Sequence, residues 1–311
     1  MLEHTPIICI VGPTASGKTA LSQQVALKYD GEVVSADSMQ VYRGMDIGTG
    51  KVAPSEKLVA HHCIDIVDPG EPFSAALFQA IARRSFLDIE SRGKRSVLCG
   101  GTGFYVRAAI DDYDFPKGEQ IGNETRDRYN EFARENGCEK LWALLNERDP
   151  ESAAIIPIND TKRIVRAFEL LESDTSYAKQ KEKLASIPQL YPAVFIGLSV
   201  DPAILSKRIE MRVDKMVEDG LVEEVKSLLD SGFREGITSP QAIGYKEIVS
   251  YLDGDCSLDE ALDSIKLSTR RYAKRQRTWF RKDKRIHWID ADALDLDAML
   301  KASIDIIGES I

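Results

Sequence analysis

Cysteine is scarce and badly placed for cross-linking: Cys9, Cys63, Cys99, Cys138 and Cys256 are widely scattered, odd in number and never spaced Cys-x-x-Cys. That pattern argues against both a disulfide framework and a zinc knuckle. Cys9 and Cys99 lie in apolar runs and read as small core residues. Histidine is scarcer still. His61-His62 has only His4 and His287 to join it, neither at metal-ligand spacing, so the pair reads as structural or as part of a loop. No run of about eighteen apolar residues occurs, and Met1-Leu2-Glu3-His4 lacks the basic stretch and apolar core of a secretion signal. A membrane role is not expected, and the expected location is the cytosol. A guanine-reading Asn-Lys-x-Asp segment is missing too, which argues against a GTPase switch. The net charge of −9 argues against a chain that coats nucleic acid through a general positive field.

What is present is an ordinary globular composition, 43% hydrophobic and 29% charged over 311 residues, enough for one large domain with an insertion or two modest ones. The first half alternates short β-branched runs (Ile7 to Val11, Glu32 to Ser35, Ser96 to Cys99) with helical patterns from Lys18 to about Tyr29 and from about Ser74 to Arg92. This reads as βαβ units and a parallel sheet. From about Lys117 to Gln189 the sequence turns charged and helix-favouring, with helical stretches at Asn123 to Asn136, Glu139 to Glu147 and Thr161 to Ser173. A strand returns at Ala193 to Val200, followed by helices from about Pro202 to Asp230, Tyr245 to Leu252 and Leu258 to Lys282 and a late strand at Ile286 to Asp290. The expected fold is α/β: a P-loop NTPase-like parallel sheet flanked by helices, built from residues 1–116 and 190–311, with an all-helical insertion at 117–189.

The most informative motif is Gly12-Pro13-Thr14-Ala15-Ser16-Gly17-Lys18-Thr19, placed after the first strand and opening a helix. Its glycines let the backbone curl until several N–H groups converge on one anion at the positive end of that helix. Lys18 adds a point charge and the Thr19 hydroxyl is suited to Mg²⁺. Val33-Val34-Ser35-Ala36-Asp37 is an apolar strand ending in a carboxylate that could assist a metal or act as a base. A second kind of charge pattern runs from Lys266 to Arg285, where ten cations face one acid, Asp283. Arg270, Lys274, Arg277 and Arg281 there follow a four-three-four spacing that puts them on one side of a helix. Either a solvated face or an anion-facing stripe satisfies that spacing.

Longer blocks surround these motifs: Asp37 to Thr49 (Asp-Ser-Met-Gln-Val-Tyr-Arg-Gly-Met-Asp-Ile-Gly-Thr), Gly100-Gly101-Thr102-Gly103-Phe104-Tyr105, Asn159-Asp160-Thr161-Lys162-Arg163-Ile164-Val165-Arg166-Ala167, Gly244-Tyr245-Lys246-Glu247 and Lys274-Arg275-Gln276-Arg277-Thr278-Trp279-Phe280. With the P-loop, they run in order from about residue 7 to 290 and closely resemble the tRNA dimethylallyltransferases, also called tRNA isopentenyltransferases. Two departures are visible, Pro157-Ile158 where the family has His-Pro and Phe104 where it has Leu. The zinc finger that often ends eukaryotic members is not seen after Asp290, which implies a bacterial-type enzyme.

The resemblance implies transfer of a dimethylallyl group from dimethylallyl diphosphate to N6 of the adenosine just 3′ of a tRNA anticodon, with the P-loop, Gly12 to Thr19, holding the leaving diphosphate where a nucleotide-binding enzyme holds ATP. It implies Mg²⁺ on Thr19 and Asp37, Asp37 as general base, Arg212 beside Lys18 on the diphosphate, and Thr102 on the target nucleotide. Ser38, Met39 and Gln40, with Gln241, Ala242, Ile243, Gly244, Tyr245 and Lys246, resemble segments that meet the flipped base and its neighbours. Arg126, Lys162, Arg163, Ile164, Val165 and Arg166 resemble positions that contact RNA in the helical insertion. The partners are then an anticodon stem-loop and dimethylallyl diphosphate, with the protein a monomer. Three rivals share parts of the sequence: a P-loop kinase with ATP in the loop, an enzyme prenylating free AMP, ADP or ATP, and a non-catalytic RNA-binding adaptor.

Overall fold

The computed structural model describes residues 4–115, 124–292 and 295–310. Two compact units divide the chain, Met1–Asp111 together with Gln189–Ile311, and Asp112–Pro188.

In the first unit, Ile-Ile-Cys-Ile-Val is apolar without alternation, so it forms a strand covered on both faces, β1 (Ile7–Val11), with every residue buried. After it come α1 (Lys18–Lys28), β2 (Gly31–Ser35), β3 (His61–His62), α2 (Ala75–Ser91), β4 (Arg95–Gly100) and α3 (Gly103–Ile110). Ser74 starts α2 by accepting the Leu77 N–H on its hydroxyl. The second unit supplies α4 (Glu124–Arg148), α5 (Pro150–Ile155), α6 (Thr161–Glu172) and α7 (Tyr177–Ala185). The first unit then resumes with β5 (Ala193–Ser199), α8 (Pro202–Glu218), α9 (Leu221–Leu229), α10 (Tyr245–Leu252), α11 (Leu258–Phe280), β6 (Ile286–Asp290) and α12 (Leu296–Ser310).

All six strands are parallel, in the order β3-β2-β4-β1-β5-β6. The chain builds on one side of β1 with β2, β3 and β4, then crosses to the other with β5 and β6. Such a reversal opens a crevice beyond the carboxyl ends of the strands, where ligands settle in open α/β sheets. Register makes the crevice narrow: Val11 pairs with Gly100 and Ser35 with Cys99, so the chain leaves β1, β2 and β4 side by side at Gly12, Ala36 and Gly101.

Some expectations are sharpened and others corrected. His61-His62 is a short edge strand paired to Val33-Val34, held there as His62 Nε2 meets the Glu32 carboxylate at 2.7 Å. The long helix expected over Pro202 to Asp230 breaks at Gly220, whose φ of +100° ends α8 and starts α9. Periodicity also left α3, α5, α7 and α12 unassigned; α12 buries Met299, Ser303 and Ile307, a face with i, i+4 spacing, against the core of its unit. In the second unit, the two helices expected over Asn123 to Glu147 are both present within α4, divided at the non-helical Gly137, Asn123 itself lying outside the described residues. Its core is its own, with Tyr129 stacked on Phe168 at 3.9 Å between Leu141, Leu145 and Ile164.

Candidate active site

The crevice is a cavity of about 460 Å³ lined by Thr14 to Thr19, Asp37, Gln40, Arg212, Tyr272 and Gln276 among others. Its floor is the Gly12–Thr19 loop. Positive φ at Gly12 (149°), Ala15 (61°) and Gly17 (93°) curls the backbone there, and Gly17 is the residue from which α1 springs. The Ser16 hydroxyl is buried with no partner among the described residues, a polar atom oriented inside an anion cradle and left for a ligand to satisfy. Lys18 folds back to donate from Nζ to the Pro13 carbonyl at 2.5 Å. Burial, the largest cause, pushes its ammonium down to about 8.

Arg212 enters from α8 and donates to the Thr49 carbonyl at 3.2 Å and to the Thr14 hydroxyl at 3.5 Å. Burial pushes it below the usual arginine range, with Asp37 opposing. Two cations thus converge on one loop, which only a multiply charged anion repays.

Asp37 follows β2. Its Oδ1 accepts the Met39 N–H at 2.9 Å, and Oδ2 keeps no partner among the described residues. Thr102 follows β4 and stitches the two strand ends together: its N–H donates to the Ala36 carbonyl and its hydroxyl accepts the Ser38 N–H, both at 3.2 Å. Tyr272 of α11 lines the same cavity, its phenol pushed up to about 12 by burial and then by Asp37. His61 lines the far side, its imidazole pushed down to about 4 by burial and therefore neutral. The arrangement unites an anion-binding loop, two cations and a carboxylate with one free oxygen.

The sequence model of the IPP transferases matches residues 40–283 and that of the isopentenyl transferases matches residues 5–63. A tRNA dimethylallyltransferase of Carboxydothermus hydrogenoformans is 48% identical over 96% of this chain and 96% of its own. The chain belongs to the tRNA dimethylallyltransferase family. The crystal structure of the tRNA isopentenylpyrophosphate transferase of Bacillus halodurans, 43% identical, matches with a TM-score of 0.71 over 98% of this chain and 96% of that one. A eukaryotic dimethylallyltransferase captured acting on tRNA is 28% identical and matches with a TM-score of 0.81, covering 99% of this chain and 80% of that one. The α/β fold is accordingly the P-loop NTPase-like fold of this family.

In this tRNA dimethylallyltransferase-family chain, the positions assigned to RNA by resemblance fall into two groups. Ser38 and Met39 are half-buried, and Gln241, Lys246, Lys162 and Arg163 are exposed. Ala242, Tyr245, Ile164 and Val165, by contrast, are 3%, 0%, 0% and 3% exposed, so their side chains belong to the cores of their units and offer RNA no surface. Gly244 is buried as well. Tyr245 donates its hydroxyl to Glu224 at 2.6 Å; Glu224 also receives the N–H groups of Asp46, Ile47 and Gly48, so this pair shapes the loop after Asp37. Gln40 likewise spends its amide on the chain, accepting from Ser35 at 2.8 Å and donating to the Thr49 and Gly50 carbonyls at 3.4 Å. In the second unit Arg126 and Arg166 share the buried Glu169 carboxylate at 2.7 and 3.0 Å, and outweigh its burial to hold it below the usual range, while Arg163 pairs with Asp160 at 2.6 Å.

The basic stripe resolves by position. Lys266, Arg270 and Arg285 pair with Asp214, Glu210 and Asp283 at 2.6, 3.0 and 2.6 Å. Between them Lys274, Arg277 and Arg281 line a groove of about 590 Å³ against α8 and make no ion pair among the described residues. Glu224, Tyr272 and Gln276 are the residues sequence reasoning missed. A polar side chain on the inward face of a helix was the available signal for Gln276, which is 5% exposed.

No group of three or more His, Cys, Asp or Glu that could hold a metal ion occurs among the described residues. The Thr19 hydroxyl and the Asp37 carboxylate, both lining the cavity, are a small hard-oxygen set of the kind that holds a divalent cation jointly with substrate phosphates. The residues fit that group. Among the described residues no helix is long and apolar enough to cross a membrane.

Proposed function

We propose that this chain transfers the dimethylallyl group of dimethylallyl diphosphate to N6 of the adenosine on the 3′ side of a tRNA anticodon, releasing diphosphate. The observation that carries this reading, beside family membership, is the sharing of one cavity by an anion loop and a partly free carboxylate: Lys18, Arg212 and the P-loop line it together with Asp37, whose neighbour Ser38 donates its N–H to the Thr102 hydroxyl. Breaking the allylic C1–O bond moves negative charge onto the diphosphate, and the loop amides with Lys18 and Arg212 stabilise that charge as it develops. The N6–C1 bond forms as the C1–O bond breaks, and the N6 proton passes to Asp37. Oδ1 of Asp37 is tied to Met39, so Oδ2 is the oxygen suited to accept it. Thr19 and Asp37 would hold a Mg²⁺, which would supply further charge neutralisation for the leaving group.

An adenine in a stem-loop must leave its stack to reach the cavity, at a cost of a few kcal/mol. Ser38, Met39, Gln241 and Lys246 present surface to receive it, and the partial exposure of Thr102 supports its contact with the target nucleotide. In the first unit the unpaired cations Lys274, Arg277 and Arg281 support a grip on RNA phosphates, and in the second unit the exposed Lys162 and Arg163 support a contact of their own. We take the protein to act as a monomer, and buried free thiols at Cys9, Cys63 and Cys99 accord with a cytosolic setting.

The test is to incubate the chain with dimethylallyl diphosphate, Mg²⁺ and unmodified tRNA and to weigh the nucleosides by mass spectrometry. A C₅H₈ gain on the adenosine beside the anticodon is expected. Gain on free AMP or ATP with none on tRNA, or ATP consumption instead of prenyl transfer, overturns the reading.

A further inference from the structure

Gln276 lies 5% exposed on α11, and both ends of its carboxamide are committed: Oε1 accepts the Thr14 N–H at 2.9 Å, and Nε2 donates to the Gly101 carbonyl at 2.9 Å. Thr14 belongs to the anion loop, whereas Gly101 opens the turn that carries Thr102. These partners lie 262 and 175 residues away in the chain. The partners also fix the orientation of the amide, since a backbone N–H can only donate and a carbonyl can only accept. The turn is shaped to admit α11. A Cβ on Gly101 would fall 2.2 Å from Gln276 Nε2, and one on Gly103 would fall 2.1 Å from Trp279 Cδ1, so α11 presses into this turn at two points three residues apart.

We propose that Gln276 is a positioning residue that locks the diphosphate loop to the Thr102 turn, so that the departing oxygen and the acceptor amine are held in line. This rests on the transferase reading above. Neither bond involves a ligand: the amide satisfies one loop N–H and leaves the remaining loop amides to the anion. Thr14 is fixed from a second side by Arg212, and Thr102 by the strand-end bonds to Ala36 and Ser38. Beyond the β1–β4 ladder, which ends at Val11 and Gly100, Gln276 bonds these two pieces to each other. No other residue type reproduces it at this length, because glutamate sets an oxygen against the Gly101 carbonyl and leucine leaves both backbone groups without their partner. Misplacement on the order of 1 Å between reacting groups costs about 10²-fold in rate.

The experiment compares wild type, Gln276→Leu and Gln276→Glu in three ways: steady-state kinetics with tRNA and dimethylallyl diphosphate, thermal melting, and hydrogen exchange of the segments 12–20 and 99–106. Expected for Gln276→Leu is a kcat lower by roughly 100-fold, KM values for both substrates within about threefold, and faster exchange in both segments together. Gln276→Glu keeps the Thr14 bond, so only the 99–106 segment loosens, with kcat lower by about tenfold or more. The proposal is overturned by kcat near wild type in folded Gln276→Leu, by a loss confined to KM of the donor, or by a lower melting temperature with unchanged kcat per folded molecule. Should wild type fail to prenylate tRNA, the functional reading falls by itself. Hydrogen exchange still decides the lock, which unchanged exchange in both segments refutes.

Discussion

Lys18 sets stability and binding against each other, and pH separates them. Burial lowers its pKa from 10.5 to about 8, which at roughly 1.4 kcal/mol per unit disfavours the charged amine by ~3 kcal/mol in the ligand-free fold. Between those two values the unfolded chain holds the proton that the folded chain releases, so stability rises as pH climbs from about 8 to 10.5. Diphosphate affinity moves the opposite way, because the ligand needs the charge. Dimethylallyl diphosphate loses its last proton near pH 6, by analogy with phosphate esters, so above pH 7.5 its own charge is constant. Calorimetric Kd without tRNA should therefore be flat to about pH 7.5 and weaken by about tenfold per unit between pH 8 and 10. Lys18→Arg, which stays protonated throughout, should flatten the curve. Lys18→Met removes the buried charge and, after loss of the Pro13 bond worth about 1 kcal/mol, should still melt a few degrees higher at pH 7. Its donor affinity should fall at least 100-fold. A wild-type Kd that stays level to pH 10, or a Lys18→Arg curve with the same slope as wild type, refutes the reasoning.

Asp37→Asn should retain donor affinity within about threefold and lose about 10²–10⁴ in turnover, read by single-turnover kinetics; near-normal turnover removes Asp37 from the role of base. Gly50→Ala places a Cβ 2.2 Å from Arg212 Nη2 at a backbone φ of +65°, so donor KM should rise by about tenfold or more while the fold persists; an unchanged KM would detach Arg212 from the diphosphate. Lys162→Ala should weaken all tRNAs alike and lower the slope of log K against log salt by about one, whereas an unaltered slope makes Lys162 a solvated surface charge.

The sequence by itself determined the parts of this protein that local chemistry controls. The apolar runs of β1, β2, β4 and β5 announce a buried parallel sheet because a strand covered on both faces has no polar side to show. The P-loop, Asp37 and Thr102 were readable because each sits just beyond such a strand, and the ordered blocks around them carried the family resemblance. Tertiary structure alone decided which side chains in those blocks face the cavity. Tyr245 and Ile164 occur in RNA-associated blocks yet lie at 0% exposure, since a block of sequence contains both faces of a helix and only packing chooses between them. Gln276 could not be assigned from its neighbours, because its partners Thr14 and Gly101 are distant in the chain and meet only when α11 docks beside the strand ends. The same holds for the basic stripe. Spacing put its cations on one side of a helix, but only the placement of Asp214, Glu210 and Asp283 left Lys274, Arg277 and Arg281 unpaired, because charge compensation depends on through-space distance and not on separation along the chain.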